Sequence, residues 1–124
     1  MSQTEERLPQ FEGISPVFQV SDVAQALTFY CERLGFAIGW TWGEPPTHAN
    51  VCRGQIDITL TLEPSEAGSG EAYVGLRGVD AYYAELQGRN VKVGELDDRV
   101  YGMRDFALID EDGNRLVFGE FVTK

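Results

Sequence analysis

Trp40 and Trp42 stand two residues apart in a stretch that reads as a strand, so both rings project from one side of it. Flat π-faces at that spacing suit a planar or heteroaromatic ligand, and a cation can rest against them. The same rings would serve equally well as filling for a core or a dimer interface. Gln19, Asn50, Asp57 and Arg104 are candidates for the few oriented polar groups that a small-molecule pocket needs. Arg104 has a competing use, an ion pair with Asp105 or another neighbouring acid. His48 is the only histidine, so no His–His pair can form. On its strand it shares a side with Asn50 and Cys52, as a polar lining residue, a ligand hydrogen-bonder or a general base. Cys31 and Cys52 lie far apart with no CxxC pair, which fits neither a disulfide framework nor a zinc site. They read as small, reduced hydrophobes. No nucleophile elbow, phosphate loop or His-based triad is present, and no catalytic residue is assigned.

The chain that positions these groups has 124 residues, 43% of them hydrophobic and 11% aromatic, enough for one domain with a real core. Ten Lys and Arg against 20 Asp and Glu give a formal charge of −10. That balance argues against nucleic acid, whose phosphates need clustered positive charge. Cationic or neutral small molecules are easier partners. No apolar run approaches the roughly 20 residues of a bilayer span, so no membrane partner is expected. The start, MSQTEERLPQ, has neither a basic nor an apolar leader region, and the expected location is the cytoplasm.

Residues 1–12 are polar and broken by Pro9, and read as a flexible N-terminal arm. A strand follows from Ile14 to Val20, and Ser21-Asp22 opens a helix with Gln25 in capping-box position. Val23, Ala26, Leu27, Tyr30 and Leu34 form its apolar stripe, and Gly35 ends it. Strands are expected over Phe36–Trp42, Thr47–Arg53 and Gln55–Leu62. After a Gly/Ser/Pro-rich linker at 64–70 the grammar restarts. It gives a strand at Ala72–Leu76, a helix at Val79–Arg89, and strands at Val91–Leu96, Arg104–Ile109 and Arg115–Phe121. Residues 13–124 thus read as a single α+β domain of two βαβββ modules, 13–63 and 71–122. The helices are expected outside and a concave cleft inside.

Four stretches resemble a known family: Pro16 to Asp22; Phe29-Tyr30 with Leu34-Gly35-Phe36; Arg77-Gly78-Val79-Asp80 with Tyr83 to Leu86; and Tyr101 to Leu108. With the DxDGN turn at Asp110–Asn114, they are similar to the vicinal oxygen chelate superfamily. Its members include glyoxalase I, extradiol dioxygenases, fosfomycin-resistance enzymes and bleomycin-resistance proteins. The likeness is greatest to the bleomycin-resistance branch, acidic homodimers that sequester a basic antibiotic without breaking it. In that branch, clefts form between modules of two chains, and cleft aromatics fall at the positions of Trp40 and Tyr101.

The resemblance also implies where a divalent ion would be held in the superfamily's enzymes. Its first ligand falls on Ser15 and its last on Val117. The others fall near Glu71–Tyr73 and within Gln55–Thr61, where Asp57 or Thr59 faces the cleft. Two losses of four leave too little for a Lewis-acid site, so no metal and no cofactor is expected. The resulting expectation is a metal-independent binding protein for a cationic or aromatic drug-like molecule, working as a homodimer. Trp40, Trp42, His48, Asn50, Asp57, Tyr101 and Arg104 are its candidate ligand-binding residues. The alternative is a metal-dependent lyase, isomerase or dioxygenase with displaced ligands.

Overall fold

A computed structural model describes residues 8–122. Residues 1–7 of the expected arm lie outside the described residues, and Leu8 to Glu12 run exposed with no regular element. Period-two alternation produces β1 (Val17–Val20), with Phe18 and Val20 buried and Val17 exposed. Asp22 then caps α1 (Val23–Thr28), its carboxylate accepting from Gln25 N at 2.9 Å. The helix continues as one wider, π-helical turn over Phe29–Arg33. Gly35 takes the left-handed conformation that ends it, with φ of 78°. β2 (Ala37–Trp42), β3 (His48–Arg53) and β4 (Ile56–Leu62) follow. The second half repeats the order as β5 (Glu71–Gly75), α2 (Val79–Gly88), β6 (Asp97–Asp98), β7 (Met103–Ile109) and β8 (Arg115–Phe121).

Each half forms a four-stranded mixed sheet, in the orders β1-β4-β3-β2 and β5-β8-β7-β6. The α+β class and its two βαβββ modules are therefore as the sequence implies. β1 lies parallel to β4 with Phe18 beside Leu60, and β5 lies parallel to β8 with Val74 beside Phe118. One face of each sheet carries its helix, and the other is free.

The two helix-bearing sides merge into one core that contains Phe18, Tyr30, Leu34, Val51 and Leu60 together with Tyr82, Leu86, Phe106 and Phe118. Polar contacts fasten that seam. The Tyr30 hydroxyl donates to Asp110 Oδ2 at 2.9 Å, and the Tyr82 hydroxyl to Leu34 O at 2.8 Å, both buried. Arg53 grips Glu85 through two nitrogens and lies over the Tyr82 ring, 4.9 Å from its centroid. Those bonds from Arg53 hold the Glu85 carboxyl below its ordinary value.

One expectation about local structure needs correction. Val91–Leu96 is not a strand, and pairing is confined to Asp97–Asp98 against Asp105 and Arg104. Val91 N is spent on Leu86 O at the helix end, and Gly94 contributes a single bond to Ala107 O. The side chains of Val91, Val93 and Leu96 still pack on the core, which explains their apolar pattern. The linker at 64–70 is hydrogen-bonded to both modules. Pro64–Glu66 makes a 3-10 turn, Gly68 N bonds Gln19 O, and Gly70 N bonds Asn114 Oδ1. Gly68, with φ of 89°, passes so close to Asp112 O that any side chain would collide with it.

The seam yields a direct test. Tyr30→Phe removes one buried hydrogen bond to a carboxylate while keeping the ring, and should lower unfolding free energy by about 1–3 kcal/mol. Denaturant melts measure it, and an unchanged midpoint would show that the Tyr30–Asp110 bond adds nothing to the seam.

Candidate functional site

The free face of the first sheet is shaped by one extra residue. Ile38 pairs with Val51 but Trp40 pairs with Asn50, so Gly39 is inserted between them as a bulge. Without it, Trp40 would stand opposite Ala49 and face the helix. With it, Trp40 and Trp42 share the free face with Asn50 and His48, their partners on β3. Gly39 is required there, because a Cβ would collide with Asn50 Oδ1.

Five of the seven predicted residues meet on this face. Asn50, 8% exposed, donates through Nδ2 to Asp57 Oδ2 at 2.7 Å and reaches Thr59 Oγ1 at 3.4 Å. Ser15 Oγ and Thr59 Oγ1 share a hydrogen bond of 3.0 Å. Trp40 and Trp42 flank this satisfied polar strip at 47% and 67% exposure. Such exposure removes the reading of either ring as core. The Trp42 ring meets the His48 ring edge-on at 5.7 Å, and His48 Nδ1 pairs with Thr47 Oγ1 at 3.0 Å. Neither indole N–H bonds another described residue, so both remain available as donors.

Tyr101 lies in the turn between β6 and β7 of the other module. Its hydroxyl donates to Asp105 Oδ2 at 2.7 Å, and the Tyr73 hydroxyl donates to the same oxygen at 2.8 Å. Arg99 Nε donates to Asp105 Oδ1 at 2.8 Å. Burial pushes the Asp105 pKa up, but the bonds from Tyr101, Arg99 and Tyr73 outweigh it and hold the carboxyl below its ordinary value. Arg104 does not join this group. It alternates with Asp105 along β7 and so lies on the helix side, where it bonds Asp80 of α2 at 2.8 Å and Asp98 at 3.0 Å. The neighbouring-acid pairing expected as its competing use is what the structure contains.

No side-chain hydrogen bond among the described residues joins the Trp40 group to the Tyr101 group. A groove of about 520 Å³ lies at the seam between the modules, lined by Phe36, Arg53, Leu76, Arg77, Tyr82 and Phe118 among others. It contains none of the seven residues. Sequence reasoning missed Tyr73, Asp105 and Arg99. Tyr73 was findable, since it is out of phase with Ala72 and Val74 and must leave the core face. Arg99 sits in a turn, where spacing carries no signal.

The donor set does not suit the divalent ion of the superfamily's enzymes. Ser15 and Thr59 spend their hydroxyls on each other, Val117 has no donor atom, and Glu71 is engaged by Arg115 at 2.5 Å. Among the described residues, no three His, Cys, Asp or Glu side chains gather as an ion site.

With this geometry in view, comparison with known proteins is informative. The family described as "Glyoxalase superfamily protein" matches residues 2–124. A bleomycin resistance protein from Geobacillus stearothermophilus is 24% identical over 128 aligned residues, covering 83% of this chain and 92% of that protein. The bleomycin-binding protein of Streptomyces verticillus, solved with copper(II)-bleomycin, superposes with a TM-score of 0.77 at 24% identity, covering 90% of this chain and 97% of that one. An antibiotic-binding protein from Streptomyces sp. CB03234 superposes at 0.74 with 25% identity, covering 92% of this chain and all of that one.

Two outcomes follow from the geometry. Trp40→Ala should cost less than about 1 kcal/mol in denaturant melts, against roughly 3–5 kcal/mol for a buried tryptophan. The lowered Asp105 pKa means its contribution to stability is complete above the unfolded carboxylate range and is lost as pH falls through the folded value. Asp105→Asn should therefore flatten that part of the acid dependence, and an unaltered acid profile would show that Asp105 does not carry it.

Proposed function

The chain belongs to the glyoxalase superfamily, and from that premise we propose that it binds a small cationic or aromatic molecule without a metal ion and without transforming it. The observation that carries this reading is the bulge at Gly39, which turns Trp40 and Trp42 out onto an uncovered sheet face. Two exposed indoles over a fully satisfied polar strip offer stacking surface and N–H donors, and little chemistry. The ion-holding positions reinforce it, since Ser15, Thr59 and Val117 supply no charge for a Lewis acid. Relatives named for binding bleomycin or antibiotics support a ligand that is drug-like in size. The net charge of −10 favours a basic one.

The cleft itself is assigned to a homodimer. The sheet face bearing Trp40, Trp42, His48, Asn50 and Asp57 makes one wall, and the Tyr101 face of a second copy makes the other. Exposed Val17, Ile38, Ile109 and Phe121 supply apolar area for pairing, and β2 leaves a free edge. Modules 13–63 and 71–122 act in this scheme as the two halves of each wall set, and the protein works in the cytoplasm.

Bleomycin is the first probe. Its addition should raise the melting temperature and quench tryptophan emission. Trp40→Ala should weaken binding by about 1–3 kcal/mol while leaving the melt nearly unchanged. Light scattering should report twice the 13.8 kDa chain mass. Stoichiometric divalent metal in the purified protein, with an activity lost to chelator, would overturn the metal-free reading.

A further inference from the structure

Asp105, 3% exposed, collects both phenolic protons of the second sheet's free face. An ionised carboxylate only accepts, so Tyr73 and Tyr101 have committed their single O–H donors inward. What each oxygen keeps for a ligand is lone pairs. The rings are 49% and 62% exposed and present negative π-faces. This arrangement is built into the backbone. A Cβ at Gly119 would collide with the Tyr73 hydroxyl and meet Asp105 Cβ at 2.8 Å, so only glycine lets Tyr73 cross β8 to reach the carboxylate. Both nearby arginines are paired, Arg99 with Asp105 and Arg115 with Glu71, while Asp97, opposite Asp105, adds an acid to the same face. Arg99 Nη2 is also turned inward, bonding the carbonyls of Glu95 and Asp105.

We propose that Tyr73, Tyr101 and Asp105 form a subsite for a planar cation carrying N–H donors, an amidinium, guanidinium or protonated aromatic amine. Asp105 is its positioning residue, which holds both phenols as acceptors. The inference rests on the reading of the free sheet faces as ligand walls and adds the polarity of one wall. The Trp40 wall offers donors and the Tyr wall acceptors, so the two are complementary in what they recognise. Burial and the bond to Asp105 raise the Tyr73 pKa above the ordinary phenol value, and the bond to Asp105 is the main cause of the rise at Tyr101.

Benzamidine and benzoate, one ring with opposite charges, test the subsite in the intact protein by amide shifts at Asp105 and Gly119. Benzamidine should perturb both amides saturably, and benzoate should not. Tyr73→Phe with Tyr101→Phe keeps the rings, removes the acceptors, and should weaken benzamidine about tenfold. Asp105→Asn should weaken it comparably and bring two tyrosine ionisations back toward the ordinary range in ultraviolet titration. That titration separates a positioning role from a merely structural one, and the Phe variants serve should Asp105→Asn fail to fold. Unchanged benzamidine affinity in the double Phe variant overturns the proposal. Preference for benzoate also overturns it, since Arg99 would then govern the face. Bleomycin quenching of Trp40 without any benzamidine response would sink the subsite alone, whereas failure of both would sink the wall reading with it.

Discussion

The architecture depends on one buried pair, Asp110 and Asn114, in the turn between β7 and β8. Asp110 Oδ1 accepts the backbone N–H groups of Asp112, Gly113 and Asn114, each at 2.9 Å. Its other oxygen accepts from Asn114 Nδ2 and from the Tyr30 hydroxyl of the first module. Asn114 reaches back in turn to Gln19 O on β1 and to Gly70 N at the entry to β5. A carboxylate at 6% exposure is tolerable only when its lone pairs are filled, and here five donors fill them. The cost for Tyr30 shows in its ionisation, which burial first and the Asp110 charge second push far above the ordinary phenol value. Because that pair ties α1 of one module to the last hairpin of the other, it fixes the modules by their helix-bearing sides. The free faces are what remains.

Those faces divide the chemistry. On the first sheet the polar groups pair among themselves, Ser15 with Thr59 and Asn50 with Asp57, and the aromatic rings stand clear of them. On the second sheet the aromatic groups are themselves the polar partners, with two phenols spent on one carboxylate. In both cases a glycine makes room, Gly39 under Asn50 and Gly119 under Tyr73. Each clears space on the sheet surface that any side chain would fill. Each face is thus held by its own hydrogen bonds, which in the proposed binding mode leaves little ordering entropy to oppose a ligand.

Much of this was legible in the residues because burial on one side of a strand leaves a period-two trace. Phe18 and Val20, Ile58 and Leu60, Leu116 and Phe118 all announce the core face, and Asp22 with Gln25 announces a helix start. The shared face of Trp40 and Trp42 follows from their spacing alone. Which face it is does not, because the bulge at Gly39 shifts the register by one and reverses the side. Apolar spacing also misled at Val91–Leu96, where side chains pack inward from a backbone that pairs hardly at all. Arg104 shows the limit for charged residues. Its type and strand position suited a ligand contact, and only the placement of Asp80 on α2 shows that it is already occupied.

The charge distribution closes the argument about what such a surface can select. On the free faces, Asp105 and Glu71 are matched by Arg99 and Arg115. Asp57 and Asp97 are carboxylates there without a cationic partner among the described residues; Asp57 is held by an amide, and Asp97 lies opposite Asp105. Much of the excess of −10 resides elsewhere, in exposed acids such as Glu95 and Glu111. Distant charge of that kind draws cations toward the molecule but is screened over roughly 10 Å at 0.1 M salt. It discriminates poorly between one cation and another. In the proposed binding mode, discrimination falls to short-range features, namely the indole donors on one wall, the acceptor phenols on the other, and the flat rings on both. Long-range attraction joined to preorganised walls is what the proposed binding of a basic planar molecule calls for.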